Sequence, residues 1–313
     1  MSKTEPKSKP KPESTRGRRP VQVHRRSLLR RAAPWLAAAT VAVIAVVVVA
    51  ARSNDGGDSG GSADPLFVGG DLHTLVVDPD QAGRLFVGGH QGVAASTDDG
   101  VTWSQVDSLR DADAMGWAFA DGVVWMGGHP GMRRSTDGGL TFQPAGGELA
   151  GRDIHALGGG GGVLYAASPG AGLLASTDGG GSWEVRSADA GQGLMGGIVV
   201  DSADSRHLYA PDMRAGVVES VDGGRTWRPL GSPGMAMSAA AVGDTGALIV
   251  AGGGQAARSD DNGQTWQTLD VPRDTMVVAA GSEGRIYAAS LDGSAAKVSV
   301  SVDGGSNWQP LGR

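Results

Sequence analysis

The side chains best suited to chemistry in this 313-residue chain are imidazoles and thioethers at a recurring position. His73, Met115, His155, Met195, Met237 and Met276 each open a short apolar run, at intervals of about forty residues. His90, His129, Met132 and Met213 follow the next apolar run, and Met235 precedes Met237. If these runs are strands in register, the six residues ring a channel mouth, and the second set opens on the same face. Thioether and imidazole are ligands for soft and borderline metals, and copper(I) is the natural ion for thioether. Copper is therefore the cofactor these residues suggest. The alternative is that methionine fills irregular space at a narrow axis. The chain has no cysteine, which excludes thiolate metal sites, a cysteine nucleophile and disulfides.

A second set is carboxylate. Asp71, Asp113, Asp153 and Asp274 lie just before the ring positions, with Arg152 and Arg273 beside the last two. Glycoside hydrolysis needs two carboxylates at a suitable separation, so these are the weak catalytic candidates. Their alternative role is local capping, because aspartate accepts bonds from turn amides.

The elements that position both sets follow from a repeated eight-residue segment. It reads STDDGVTW from Ser96, STDGGLTF from Ser135, STDGGGSW from Ser176, SVDGGRTW from Ser220, SDDNGQTW from Ser259 and SVDGGSNW from Ser301. A fixed period near forty residues marks a repeat architecture. Asp-Gly or Gly-Gly between apolar runs is a hairpin signal, because tight turns need positive φ. Asp98, Asp137, Asp178, Asp222, Asp261 and Asp303 are placed to fix those turns, and the closing aromatics Trp103, Phe142, Trp183, Trp227, Trp266 and Trp308 offer area to bury. Two further apolar runs precede each turn, as in His73 to Asp78 and Leu85 to Gly88. Each unit is thus four short strands. The expected fold is all-β: a six-bladed β-propeller of four-stranded blades over residues 65–313, preceded by one N-terminal transmembrane helix. Leu66 to Val68 is a candidate strand for closing the ring, although the last blade already ends at Trp308 to Leu311.

The repeated segment resembles the Asp-box, or BNR repeat, of a superfamily that includes sialidases, sortilin-type receptors and photosystem II assembly propellers. The resemblance implies that the boxes are structural hairpins between third and fourth strands, on the face away from an active site. Sialidase chemistry would require an arginine triad, a Tyr/Glu pair and an aspartate. Tyr165, Tyr209 and Tyr287 all fall where Phe86 and Trp125 stand in other repeats, so they read as core residues. The Arg-Ile-Pro signature of that branch is absent. A true sialidase is therefore disfavoured. The resemblance implies a non-catalytic binding or assembly module, with an exo-glycosidase using the aspartate set as the alternative.

Charge is split along the chain. Residues 1–31 hold eleven Lys/Arg against two Asp/Glu, and the remainder holds sixteen against thirty-one, which gives −6 in all. Residues 33–51 are uncharged and rich in Val, Ala and Ile, long enough to span a bilayer. The expected organisation is a basic disordered cytoplasmic tail (1–31), a membrane anchor or uncleaved signal (32–51), a Gly/Ser linker (52–64) and the propeller (65–313). The protein is then single-pass in the cell membrane, with the propeller outside. Arg25 to Arg30 (RRSLLR) also has the form of a twin-arginine export signal. The expected partners are the cytoplasmic membrane and an extracytoplasmic protein or glycan. Nucleic acid is excluded, because phosphate binding needs clustered cations and the acidic domain has one lysine, Lys297.

Overall fold

The computed structural model describes residues 66–243 and 246–312. The chain divides into two units, Met1–Ser59 and Gly60–Arg313, and every described residue lies in the second. The expected tail, membrane span and linker all lie outside the described residues. Among the described residues no helix is long and apolar enough to cross a membrane.

Six antiparallel meanders follow one another along the chain. Blade 1 comprises Leu72–Val77, Leu85–Gly89, Gly92–Ser96 and Ser104–Gln105, and blade 2 comprises Asp113–Ala120, Val123–His129, Gly131–Ser135 and Gln143–Pro144. Blade 3 runs from Ala156–Gly160 to Glu184–Ser187, and blade 4 from Val199–Val200 to Arg228–Pro229. Blade 5 spans Ser238–Val242 to Gln267–Leu269, and blade 6 spans Val277–Ala280 to Gln309–Leu311. The chain is thus a six-bladed propeller. Because each blade is a meander, first-strand starts and the loops after second strands share one face, and the Asp-box turns share the other.

The boxes hold their turns through one repeated network. In the fourth copy the buried Ser220 hydroxyl accepts the Gly224 N–H at 2.9 Å and donates to Asp222 Oδ1 at 2.8 Å. Asp222 Oδ1 accepts the Thr226 N–H at 2.9 Å, and Thr226 Oγ1 donates to Oδ2 at 2.6 Å. Asp98, Asp137, Asp178, Asp261 and Asp303 do the same, with Ser182 and Asn307 standing in for threonine in two copies. These hydrogen bonds favour the ionised form and hold the carboxyls of Asp178, Asp222, Asp261 and Asp303 down to about 2.

The core is six apolar clusters, each between neighbouring blades. Phe86 and Val93 of blade 1 pack on Ala114, Trp117 and Met126 of blade 2, and the Phe86 and Trp117 rings stack at 4.8 Å. Tyr165, Tyr209 and Tyr287 are all buried at this kind of interface, as the repeat pattern predicts. The ring closes where Leu66, Val68, Leu72 and Leu85 meet Val277, Tyr287 and Val298. Here the segment before blade 1 clasps the last blade: Ala296 N–H donates to Leu66 O and Val68 N–H to Ser294 O, both at 2.9 Å. It does so by a single bridge, Phe67 to Ala295, and blade 6 already has four strands of its own.

One feature departs from six equal blades. Gly196–Gly197 leaves blade 4 and pairs in parallel with Ala156–Gly160, giving blade 3 a fifth strand, while Val199–Val200 begins blade 4. Glycine permits this approach, since a Cβ on Gly158 would lie 2.0 Å from Ile198 O.

Candidate functional site

Three successive blades deliver imidazoles and carboxylates to the loop mouth. Asp113 begins the first strand of blade 2 and faces His129 directly across the strand pair. His73 and Met115 each sit at a register shift in a first strand, where an extra residue bends the backbone. His90 follows Gly89, and its N–H is fixed by Asp71 O at 3.2 Å. His155 precedes the first strand of blade 3 and donates its N–H to Ala167 O at 2.9 Å.

Asp113 is the centre of the arrangement, with 6% of its surface exposed. His73 Nε2 lies 3.2 Å from Oδ1, and His90 Nδ1 and His129 Nδ1 each lie 3.4 Å from Oδ2. Oδ1 is buried without a well-formed hydrogen bond, and His73 Nε2 is its imidazole neighbour. On the far side of the His129 ring, Nε2 stands 3.2 Å from His155 Nε2 and 3.8 Å from Asp153 Oδ2. His73 Nε2, His90 Nδ1 and an Asp113 oxygen lie close enough together to hold one metal ion.

The charges in this cluster act on one another. Burial works against a protonated His73, but contact with Asp113 and the charges of Asp113 and Asp71 outweigh it and raise its pKa. Burial would likewise raise the Asp113 carboxyl, and the contact and charge of His73, with His90 and His129, hold it below the ordinary value. His155 shifts the other way: burial and the neighbouring His129 lower its pKa and favour the neutral ring.

The structure therefore joins two sets that sequence reasoning kept apart. His73, His90, His129 and His155 meet Asp113 and Asp153, with Asp71 acting on His73 through its charge. Met115 is buried in blade 2, Met276 packs against the core between blades 6 and 1, and Met195 and Met237 hold the ring position in blades 4 and 5. Asp274, Arg152 and Arg273 are exposed outside the cluster, and Arg152 Nε donates to Glu148 O. A usable signal was present: each aspartate stands two residues before a ring position, as in Asp71-Leu72-His73 and Asp153-Ile154-His155, and Gly-Gly-His recurs at His90 and His129.

Fold and boxes together define a β-propeller of Asp-box repeats. The BNR/Asp-box repeat family model matches residues 257–268, around the fifth of the six boxes. No curated protein matches the sequence. Among solved structures the chain is similar to a GH74 xyloglucanase from Xanthomonas campestris, at 19% identity and TM-score 0.54 over 79% of this chain and 46% of that one. It is similar to a GH74 enzyme from Niastella koreensis, at 18% identity and TM-score 0.53 over 78% and 46%. A nidogen/laminin complex gives 16% identity and TM-score 0.56 over 74% and 93%. The chain spans less than half the length of these GH74 structures, and at such identity the likeness is one of fold.

Proposed function

We propose that the protein is a membrane-anchored, extracytoplasmic binding propeller whose loop mouth binds a borderline divalent cation, copper(II) or zinc(II), through His73, His90 and Asp113. The observation that carries this reading is Asp113, a buried carboxylate whose Oδ1 has no well-formed hydrogen bond and faces His73 Nε2, while its Oδ2 faces His90 Nδ1. One ligand atom from each of His73, His90 and Asp113 lies within 4.8 Å of the other two, a grouping that small side-chain rotations close onto a single ion with bonds of about 2.0–2.1 Å. Imidazole with carboxylate suits a borderline ion better than copper(I). Three protein ligands leave a fourth position, and the 60% exposure of His90 opens it to water or to a donor from a protein or glycan partner. Residues 32–51 and the basic tail before them would hold this face outside the membrane.

The test is a competition titration of the full-length chain with copper(II) and zinc(II) against a chelator. Binding lost in His73→Ala, with the metal-free fold still melting cooperatively at about pH 8.5, where the His73–Asp113 pair contributes little, supports the reading. Binding unaffected by His73→Ala and Asp113→Asn refutes it.

A glycoside hydrolase is the second reading, favoured by the GH74 enzymes among the similar folds. It would draw on Asp71, Asp153 or Asp274, since Asp113 is engaged by imidazoles. Release of reducing sugar from xyloglucan or related glycans, abolished by Asp153→Asn, would establish it in place of the binding module.

A further inference from the structure

The junction between blades 3 and 4 differs from the other five. Three residues after the closing aromatic, the other blades carry Val106, Ala145, Leu230, Leu269 and Leu311, and all five pack into the apolar clusters between blades. Blade 3 carries Arg186 there. Its side chain is 14% exposed, and Nε is buried without a hydrogen-bond partner. Three residues further on, where blade 1 buries Leu109, blade 3 has the exposed Asp189. The step from Ser176 to Ser220 is also the longest between boxes, at 44 residues. At this junction a cavity of about 260 Å³ opens, walled by Leu194, Val218 and Trp227 with Asp189, Asp212 and Arg225. Charge is sorted along it. At the loop-mouth end stand Asp189 and Asp212. Asp212 faces Gly216 across the strand pair, and its Oδ1 accepts the Arg214 and Ala215 N–H groups at 2.8 and 2.9 Å. At the box end stands Arg225, whose Nη1 donates to Asp222 O at 3.1 Å. Glu184 joins two guanidinium groups there, at 3.3 Å from Arg186 Nη1 and 3.6 Å from Arg225 Nη2. One carboxylate between two guanidiniums leaves this end positive, while the other end carries two carboxylates.

We propose that this cavity binds a zwitterionic di- or tripeptide, with its ammonium group on Asp189 and Asp212, its carboxylate on Arg225, and an apolar side chain against Leu194, Val218 and Trp227. Guanidinium with carboxylate is a strong, geometrically specific pairing. The strand beside the cavity runs four residues from Gly216 to Ser220, about 13 Å. Two or three extended residues span about 7–11 Å, and the Asp and Arg side chains close the rest. A single amino acid carries both charges on one Cα and is too short for the two ends. A neutral sugar answers neither charge. The volume lies just under the range of about 300–1,000 Å³ that holds drug-sized ligands, which limits the occupant to a short peptide. None of the cavity's residues belongs to the His73–Asp113 cluster, so this site is independent of the loop-mouth cation.

The test is a calorimetric titration of the full-length chain with the tripeptide alanyl-leucyl-alanine, a chelator being present throughout. The expected result is one-to-one binding, weakened at least about tenfold when the peptide is N-acetylated or C-amidated. Arg225→Gln and Asp212→Asn should each weaken the free peptide by a similar factor in a chain that still melts cooperatively. Arg186→Leu, which restores the residue type of the other blades, should also weaken binding while leaving the fold at least as stable, since a buried unpartnered group is removed. Binding indifferent to both end caps overturns the zwitterion. Binding of maltose in place of the peptide overturns it in favour of a glycan. No binding of either overturns the cavity as a site. With metal chelated, each of these outcomes leaves the loop-mouth reading where its own titration puts it.

Discussion

Replacing Asp113 by asparagine in the metal-free protein should cost stability in mildly acidic solution and little above neutrality. The carboxylate is buried and faces three imidazoles, so its worth depends on their charge. The pKa of His73 is raised, so its protonated ring contributes stability in full below its unfolded value of 6.5 and loses it as pH rises through the folded value. The pKa of Asp113 is lowered, so its contribution is present above its unfolded value of 3.8 and is lost as pH falls through the folded one. The pair is therefore strongest between about pH 4 and 6.5. Within that window the asparagine leaves a largely buried imidazolium without its counter-charge. Leaving a largely buried charge without its partner costs about 2 kcal/mol, which is roughly 4–8 °C in melting temperature for a domain of this size. As pH rises through the folded value of His73 its contribution is lost, and the native carboxylate is then a buried charge held by long contacts. There the neutral isostere should lie within about 0.5 kcal/mol of the parent. Melts followed by tryptophan fluorescence with a chelator present, at about pH 5.5 and 8.5, read the difference directly. An equal loss at both values, or a larger one at high pH, would refute the electrostatic reasoning. Metal binding at the loop mouth should be lost in this variant at both values.

Three further outcomes follow from the boxes. Ser220→Ala strands the Gly224 N–H in a buried turn and should cost about 1–3 kcal/mol in urea unfolding, whereas the exposed Val221→Thr should stay within about 0.5 kcal/mol. The box carboxyls at about 2 lie below their unfolded 3.8, so they support the fold above that value and lose their effect as pH falls. Circular dichroism should place acid unfolding between about pH 4 and 2, and unfolding complete above that range would show that other groups control it. Gly139→Ala should cost clearly more than Gly122→Ala in thermal melts. Both have positive φ, worth about 1–2 kcal/mol, but a Cβ at Gly139 would lie 2.3 Å from Phe86 Cζ while Gly122 faces open space. Equal losses would mean that the Phe86 ring moves aside freely.

Much of the fold is legible in the primary structure, because each blade is specified locally. The Ser, Asp and Gly of every box close their own turn within five residues, as Ser220, Asp222 and Gly224 show. The tyrosines at 165, 209 and 287 could be placed in the core because they share a position with Phe86 and Trp125. Two things were less visible. The parallel pairing of Gly196 with Ala156 depends on glycines in facing backbones, and a forty-residue period does not register it. The Leu66 clasp on Ala296 joins residues from opposite ends of the domain.

For the candidate site, the chain by itself determined which residues could act. It placed His73, His90, His129 and His155 toward one mouth, and set Asp71, Asp113 and Asp153 just ahead of the ring. Only the tertiary structure decided that these are one cluster. The physical reason is that the decisive contacts cross blade boundaries. Asp113 of blade 2 meets His73 and His90 of blade 1, and His155 of blade 3 meets His129 of blade 2. A repeat period fixes where each residue falls along its blade. It does not fix how neighbouring blades are rotated, nor which way a side chain turns where the strand register shifts at His73 and Met115.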